Sequence, residues 1–198
     1  MTKKGLKRTD IIPGAFTIIE LLVVIAIIIV LAGLILSTVG YVQKKGARSR
    51  AEAEIAAMSA ALESYKADNG IYPSNSATNL LKANNDLDAT QPVYQNASLY
   101  LYEELSGDHN NDRVTNSSDD PSGKGITPKS YFSFKPNNLL PAPPSTAAVT
   151  AIRDPFGNSY GYSTVKASNP TGSDGYNPTF DLWSTAASTD PNQWIKNW

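Results

Sequence analysis

The feature that most constrains this chain is an unbroken apolar run from Ala15 to Leu36 with a single carboxylate, Glu20, inside it. A helix of that length spans roughly 33 Å, enough for the hydrocarbon core of a bilayer. A cleaved secretory signal has a shorter apolar region followed by small residues, whereas Gly14 and Ala15 precede this one. A plain membrane anchor leaves Glu20 unexplained, because a carboxylate at that depth is costly and usually functional. We therefore expect a membrane-spanning helix in which Glu20 has a function; the alternative is a tolerated glutamate that snorkels to the interface.

The charges on either side of the run do not decide its orientation. Four basic residues lie on each side: Lys3, Lys4, Lys7 and Arg8 before it, and Lys44, Lys45, Arg48 and Arg50 after it. The positive-inside rule gives a tie, but a long domain translocates largely regardless of flanking charge. We therefore expect a cytoplasmic N-terminus and a C-terminal domain on the other side of the membrane.

The basic leader, the stretch Gly14-Ala15-Phe16-Thr17-Ile18-Ile19-Glu20 and the apolar helix resemble the N-terminus of type IV pilins and type II secretion pseudopilins. In that family a prepilin peptidase cuts just before the apolar segment and methylates the new N-terminus. The resemblance implies that Phe16 is the first mature residue and that Glu20, the fifth, acts in assembly. The family has glycine directly before the cut, where this chain has Ala15. Cleavage after Gly14, which would make Glu20 the sixth residue, therefore stays open.

Cleavage would explain the buried carboxylate in physical terms. It creates an ammonium group at Phe16, at the edge of the same apolar layer as Glu20. When copies pack side by side, Glu20 of one copy can pair with that ammonium group of its neighbour. The pairing offsets much of the cost of two charges in a low-dielectric site and sets the axial register.

The rest of the chain predicts an α+β fold, pilin-like, with a long N-terminal helix packed on a small antiparallel sheet with long loops. Apolar residues spaced three and four apart form one stripe of the continuing helix, at Ala51, Ile55, Met58, Leu62 and Tyr65. Asn69-Gly70 ends it. The predicted regions are a leader (1–15), a transmembrane and assembly helix (16–36), an amphipathic continuation (37–70) and a globular head (71–198).

Four further stretches resemble the major pseudopilin: residues 65–73, 154–162, 180–184 and 194–198. Alternation predicts strands at 131–135, at Tyr160 to Tyr162 and, as the last strand, at 180–184; Gly157-Asn158 predicts a turn between. Short helical pieces are expected near Leu80–Ala83 and at Leu99–Leu105. The tryptophans Trp183, Trp194 and Trp198 are interpreted as core and loop anchors.

A polar loop predicts a Ca²⁺ site. Oxygen-bearing side chains fall at positions 1, 3, 5, 9 and 12 of a twelve-residue loop; these are Asp108, Asn110, Asp112, Asn116 and Asp119. Position 7, Val114, would add its backbone carbonyl. The pattern resembles dockerin-type loops. Against it, Arg113 replaces the usual glycine at position 6, and Pro121 opposes an exiting helix. A solvated Asn/Asp turn is the alternative. The family's own calcium loop, near Asp190, has a single aspartate here, too few for a strong site.

No catalytic set is present in the sequence: it has no cysteine, one histidine and no Gly-rich phosphate loop after a strand, so we expect no enzyme. A net charge of −1 gives no basic field, and no nucleic-acid partner is predicted. The resemblance implies a pseudopilus subunit in the inner membrane and periplasm of a type II secretion-like system. Its partners would be further copies, the prepilin peptidase, minor pseudopilins, the inner-membrane assembly platform and lipid. The alternatives are a type IV pilin for adhesion or DNA uptake, and an anchored binding module that never polymerises.

Overall fold

The computed structural model describes residues 16–198, apart from the side chains of residues 37 and 38, as two compact units divided between Lys44 and Lys45. The predicted leader 1–15, including Gly14 and Ala15, lies outside the described residues. The fold is α+β, with a long N-terminal helix and small antiparallel sheets, which confirms the predicted class. In chain order the elements are α1 (Ile18–Asn69), α2 (Ser76–Leu80), α3 (Pro92–Ser106), β1 (Leu139–Leu140), β2 (Ala151–Ile152), β3 (Gly161–Ser163), α4 (Val165–Ser168), β4 (Asp181–Ser184) and β5 (Ile195–Lys196).

Helix α1 ends where the sequence predicts. Gly70 takes the left-handed conformation, with φ of 80°, and its N–H donates to the carbonyl of Lys66 at 2.8 Å. Glycine adopts this conformation without the steric cost that a Cβ carries. The Asn69-Gly70 stop signal is therefore confirmed.

The predicted apolar stripe of α1 forms one side of the core of the second unit. Ala51, Ile55, Met58 and Leu62 are buried and Tyr65 is half-buried. They share one hydrophobic cluster with residues of α3, β3 and β4, among them Leu101, Leu105, Tyr162 and Leu182. Burying a side chain the size of Ile55, Met58 or Leu62 stabilises the folded state by about 1.5–3 kcal/mol relative to leaving it exposed.

The head has two antiparallel sheets, β1–β2 and β3–β4–β5. The central strand β4 is buried along its whole length, and its Trp183 lies opposite Gly161 of β3. A Cβ at Gly161 would overlap the indole of Trp183, so the close approach requires glycine. The strands predicted near Tyr162 and at 180–184 are confirmed, but β5, not β4, is the last strand.

The strand predicted at residues 131–135 is wrong. The backbone N–H groups of Tyr131 and Phe132 both donate to the carbonyl of Leu105, at the end of α3, at 2.8 and 2.9 Å. Phe132 and Phe134 pack edge to face, with ring centroids 4.7 Å apart. The alternation therefore reflects two aromatic rings on one apolar surface, while the backbone pairs with a helix end instead of a strand.

The two short helices of the head differ from their predicted bounds. Helix α2 begins earlier than expected, because Asn75 and Thr78 exchange side chain-to-backbone hydrogen bonds of 3.0 Å in a capping box. Helix α3 is longer than expected. Pro92 occupies its first turn, and Gly107, with φ of 77°, closes its C-terminal end.

Candidate functional site

The candidate site is the start of α1, where Thr17 and Glu20 form a capping box. The Thr17 N–H and hydroxyl both donate to Oε2 of Glu20 at 2.8 Å, and the Glu20 N–H donates to Oγ1 of Thr17 at 3.3 Å. This satisfies N–H groups that the first turn of a helix otherwise leaves without partners. The sequence-based interpretation missed Thr17, although Thr-x-x-Glu before an apolar run is the capping-box signature.

The capping box lowers the cost of placing the Glu20 carboxylate at the start of an apolar helix. A carboxylate at the helix N-terminus is stabilised locally, by hydrogen bonds and by the positive end of the helix dipole. Both Phe16 and Glu20 are exposed, and Phe16 is 82% exposed. Glu20 can therefore cap its own helix and still present its carboxylate to a second group.

Beyond Glu20 the helix exposes its apolar side chains all round. Between Ile18 and Leu36 the large apolar side chains are 47–86% exposed. By length and composition α1 could cross a membrane. A helix that is apolar all round is suited to lipid or to the interior of a larger assembly, since either removes this surface from water.

The predicted calcium loop has its oxygens engaged in internal hydrogen bonds. Oδ2 of buried Asp108 accepts from the hydroxyl of Tyr102 at 2.5 Å and from the N–H of Arg113 at 2.7 Å. The carboxylate of Asp119, also buried, accepts from the N–H groups of Asn110 at 3.1 Å and Asn116 at 2.7 Å. In the structure these carboxylates organise the loop backbone.

The remaining oxygens of the loop also bond within it. Oδ1 of Asn110 accepts from the N–H of Asp112, Oδ1 of Asp112 accepts from the N–H of Val114, and the Val114 carbonyl accepts from the amide of Asn116. Across residues 16–198, no group of three or more His, Cys, Asp or Glu is placed to hold a metal. The Ca²⁺ site stays a prediction.

One argument against calcium binding is weaker than the sequence suggests. Arg113, at the glycine position of the loop, takes the left-handed conformation with φ of 76°. Its guanidinium donates to the carbonyls of Ala147 at 3.1 Å and Pro141 at 2.7 Å, which offsets the cost of a side chain there. The sharp turn is made without glycine.

The C-terminal loop around Asp190 is organised by that residue and by tryptophans. Asp190 accepts hydrogen bonds from the N–H and the side-chain amide of Asn192. Trp183 and Trp194 are buried and stack with ring centroids 6.0 Å apart, and Trp198 is half-buried against them. The interpretation of the three tryptophans as anchors is confirmed.

The Asp154-to-Asn158 segment is a turn built around a buried carboxylate. Oδ1 of Asp154 accepts from the N–H groups of Phe156 and Asn158 at 3.0 and 2.8 Å, and Oδ2 accepts from the hydroxyl of Ser184 at 2.5 Å. Burial raises the pKa of Asp154, partly opposed by these hydrogen bonds. The carboxylate ties the turn to β4.

Comparison with protein-family models, with curated proteins and with solved structures found no match for this chain.

Proposed function

We propose that this chain is a structural subunit of a pseudopilus, cleaved and N-methylated by a prepilin peptidase and polymerised in a type II secretion-like system. The observation that carries the proposal is the start of α1. A capped glutamate, Glu20, lies four residues after Phe16, at the head of a helix whose apolar side chains are exposed. A monomeric anchor needs this carboxylate only as a helix cap, whereas a fibre subunit also uses it to pair with the N-terminus of its neighbour.

In the assembled fibre, Glu20 of one copy accepts a hydrogen bond from the Phe16 ammonium of the next. Thr17 keeps the carboxylate at the first turn in the free subunit, so little rotamer entropy is lost when the pair forms. The exposed apolar surface of residues 18–36 passes from lipid into the packed helices of the fibre. We further infer a pilin-like fold, with the head in the periplasm and the leader in the cytoplasm.

The resemblance at residues 65–73 agrees with contacts that join α1 to the head. The hydroxyl of Tyr65 donates to Glu104 at 2.6 Å, and the side-chain amide of Asn69 donates to the hydroxyl of Tyr131 at 3.1 Å. Tyr162 donates to the carbonyl of Pro73 at 2.7 Å. These bonds support a subunit in which the helix end and the head form one unit.

The decisive experiment is to identify the N-terminal residue and the intact mass after co-expression with a prepilin peptidase. We expect a chain beginning at N-methylated Phe16. A start at Ala15 would keep the family but weaken the pairing of Glu20. The control is a catalytically inactive peptidase, which should leave the chain uncut.

An uncleaved chain, with the peptidase shown to be active on another substrate, would contradict the proposal and favour the anchored binding module. Cleaved protein that builds long surface fibres, with loss of adhesion or DNA uptake on deletion, would favour a type IV pilin.

A further inference from the structure

A polar cavity of about 470 Å³ lies in the second unit, between α1 and the segments on either side of β1 and β2. Three cationic side chains line it, Arg50, Lys135 and Arg153, together with the carboxylates of Glu54 and Asp154. Cavities of about 300–1,000 Å³ are the usual size of small-molecule sites.

The two carboxylates in the lining are engaged by neutral donors. Glu54 accepts from the side-chain amide of Asn138 at 2.8 Å and from the hydroxyl of Tyr160 at 2.7 Å. Asp154 is buried and accepts from Ser184 and from backbone N–H groups of its own turn. Neither carboxylate forms an ion pair with the cations beside it.

Among residues 16–198 none of the three cations forms a direct ion pair, and the formal charges of the lining, three positive and two negative, sum to +1. In the described part of the chain the ion pairs are Lys82–Asp174 and Lys129–Asp68, and none of the three takes part. The side chains of Arg50 and Lys135 make no hydrogen bond to residues 16–198, and Arg153 has one long bond of 3.4 Å to the carbonyl of Asn137. Like charges that share a cavity repel each other, and a bound anion removes that cost.

The position of Arg153 suits anion binding. Its backbone is fixed by a hydrogen bond of 2.7 Å to the carbonyl of Asn138 and by a bridge to Ser159. Its guanidinium lies against the turn at Gly157, where a side chain would contact it. A guanidinium held in this way has donors free to grip two oxygens of one anion, which is why arginine recognises carboxylate and phosphate.

We propose that the Arg50–Lys135–Arg153 cavity is a binding site for an oxyanion, a carboxylate or a phosphate group. The ligand is either a small free molecule with at least two such groups or an acidic side chain of a second copy of this chain. Residues 37–198 carry a net charge of −3, since the whole chain has −1 and residues 1–36 have +2, so three cations in one cavity are a local exception that attracts anions. The site does not depend on cleavage or polymerisation.

The test uses the full chain in uncharged detergent, titrated calorimetrically with citrate and with pyrophosphate. We expect saturable binding that weakens by at least about tenfold in Arg153→Gln and in Lys135→Gln, because each loses a charge-assisted hydrogen bond. Lys124→Gln is the matched control, since Lys124 is an exposed lysine in a loop away from the cavity. Circular dichroism checks that each variant is folded.

The second source of the anion is tested on the same proteins. If a neighbouring copy supplies the carboxylate, neither small anion binds, and self-association measured by sedimentation is weakened in Arg153→Gln and Lys135→Gln but not in Lys124→Gln. The proposal is overturned if the small anions do not bind and self-association is the same in all variants. It is equally overturned if the control loses binding to the same extent. Because none of these readouts needs peptidase cleavage, failure of the pseudopilus proposal would leave them unchanged.

Discussion

Tyr160, which directly precedes β3, donates its hydroxyl to a carboxylate oxygen of Glu54 on α1 at 2.7 Å. The two residues are 106 positions apart in the chain. Tyr160 is fully buried, and the other carboxylate oxygen of Glu54 accepts from Asn138. One half-buried carboxylate therefore ties the sheet and the segment before β1 to the long helix.

Tyr160→Phe should lower the free energy of unfolding by about 2 kcal/mol, because it removes a hydrogen bond to a charged group and leaves Glu54 with one donor fewer. Urea unfolding of the full chain in detergent, followed by tryptophan fluorescence, measures the change. Tyr176→Phe is the control, since Tyr176 is exposed, and its effect should stay below about 0.5 kcal/mol. Equal effects of the two changes would show that the bond to Glu54 contributes no net stability.

Alkaline pH should destabilise the head. Burial raises the pKa of Tyr100 to about 12 and also raises the pKa values of further tyrosines; these are Tyr65, Tyr94, Tyr102, Tyr160 and Tyr162. In the unfolded chain tyrosine has a pKa of about 10. Below pH ~10 these groups are neutral in both states, so they cause no pH dependence. Above it the unfolded chain loses protons first, and stability falls as pH rises.

The measurement is a tyrosinate absorbance titration run beside circular dichroism. We expect the buried tyrosines to ionise together with unfolding. If all ten tyrosines of the chain titrated near pH ~10 while the circular dichroism stayed native, their burial would be wrong.

Gly161→Ala should lower the free energy of unfolding by about 1–3 kcal/mol, because the new Cβ overlaps the fully buried Trp183. The matched control is Gly46→Ala in α1, where an added Cβ meets nothing within 4 Å. There alanine should stabilise the helix by about 0.5–1 kcal/mol. Chemical denaturation measures the change in the free energy of unfolding, which should be a decrease in Gly161→Ala and an increase in Gly46→Ala. An unchanged free energy of unfolding in Gly161→Ala would contradict the β3–β4 packing.

Thr17→Ala and Glu20→Ala separate the two roles of Glu20. Thr17→Ala removes part of the cap, which should lower the stability of the helix by about 1 kcal/mol, but it keeps the Glu20 carboxylate. We expect Thr17→Ala to form fibres at reduced yield and Glu20→Ala to insert in the membrane without forming fibres. Electron microscopy and membrane fractionation measure the two outcomes. If Glu20→Ala still built normal fibres, the pairing role of Glu20 would be wrong; if both variants failed equally, Glu20 would act through its cap alone.

Asp108→Asn should lower the free energy of unfolding by about 2 kcal/mol in the presence of a calcium chelator, because the Asp108 carboxylate accepts hydrogen bonds from Tyr102 and Arg113. Asp112→Asn, at an exposed position of the same loop, should cost less than about 1 kcal/mol. Thermal unfolding with chelator and with added Ca²⁺ measures both. A loss in Asp108→Asn that appears only with Ca²⁺ would instead support the calcium site.

Local signals in the sequence were enough for several elements. The apolar run, the buried stripe from Ala51 to Leu62, the stop at Gly70 and the β4 strand follow from hydropathy, from helical spacing and from glycine's access to positive φ. The capping box of Thr17 and Glu20 was also readable, since its four-residue spacing is local.

Only the tertiary structure decided which partners distant residues take. Phe132 and Phe134 alternate in the sequence as they would in a strand, but the same pattern arises when two rings pack on one apolar surface. The hydrogen bonds of this backbone to the carbonyl of Leu105 show that the segment is not a strand. Likewise, nothing local in the sequence brings Arg50 and Arg153 to one cavity. Short-range patterns determine helices and turns because their hydrogen bonds close within a few residues, whereas a cavity depends on contacts that form only when the whole head packs.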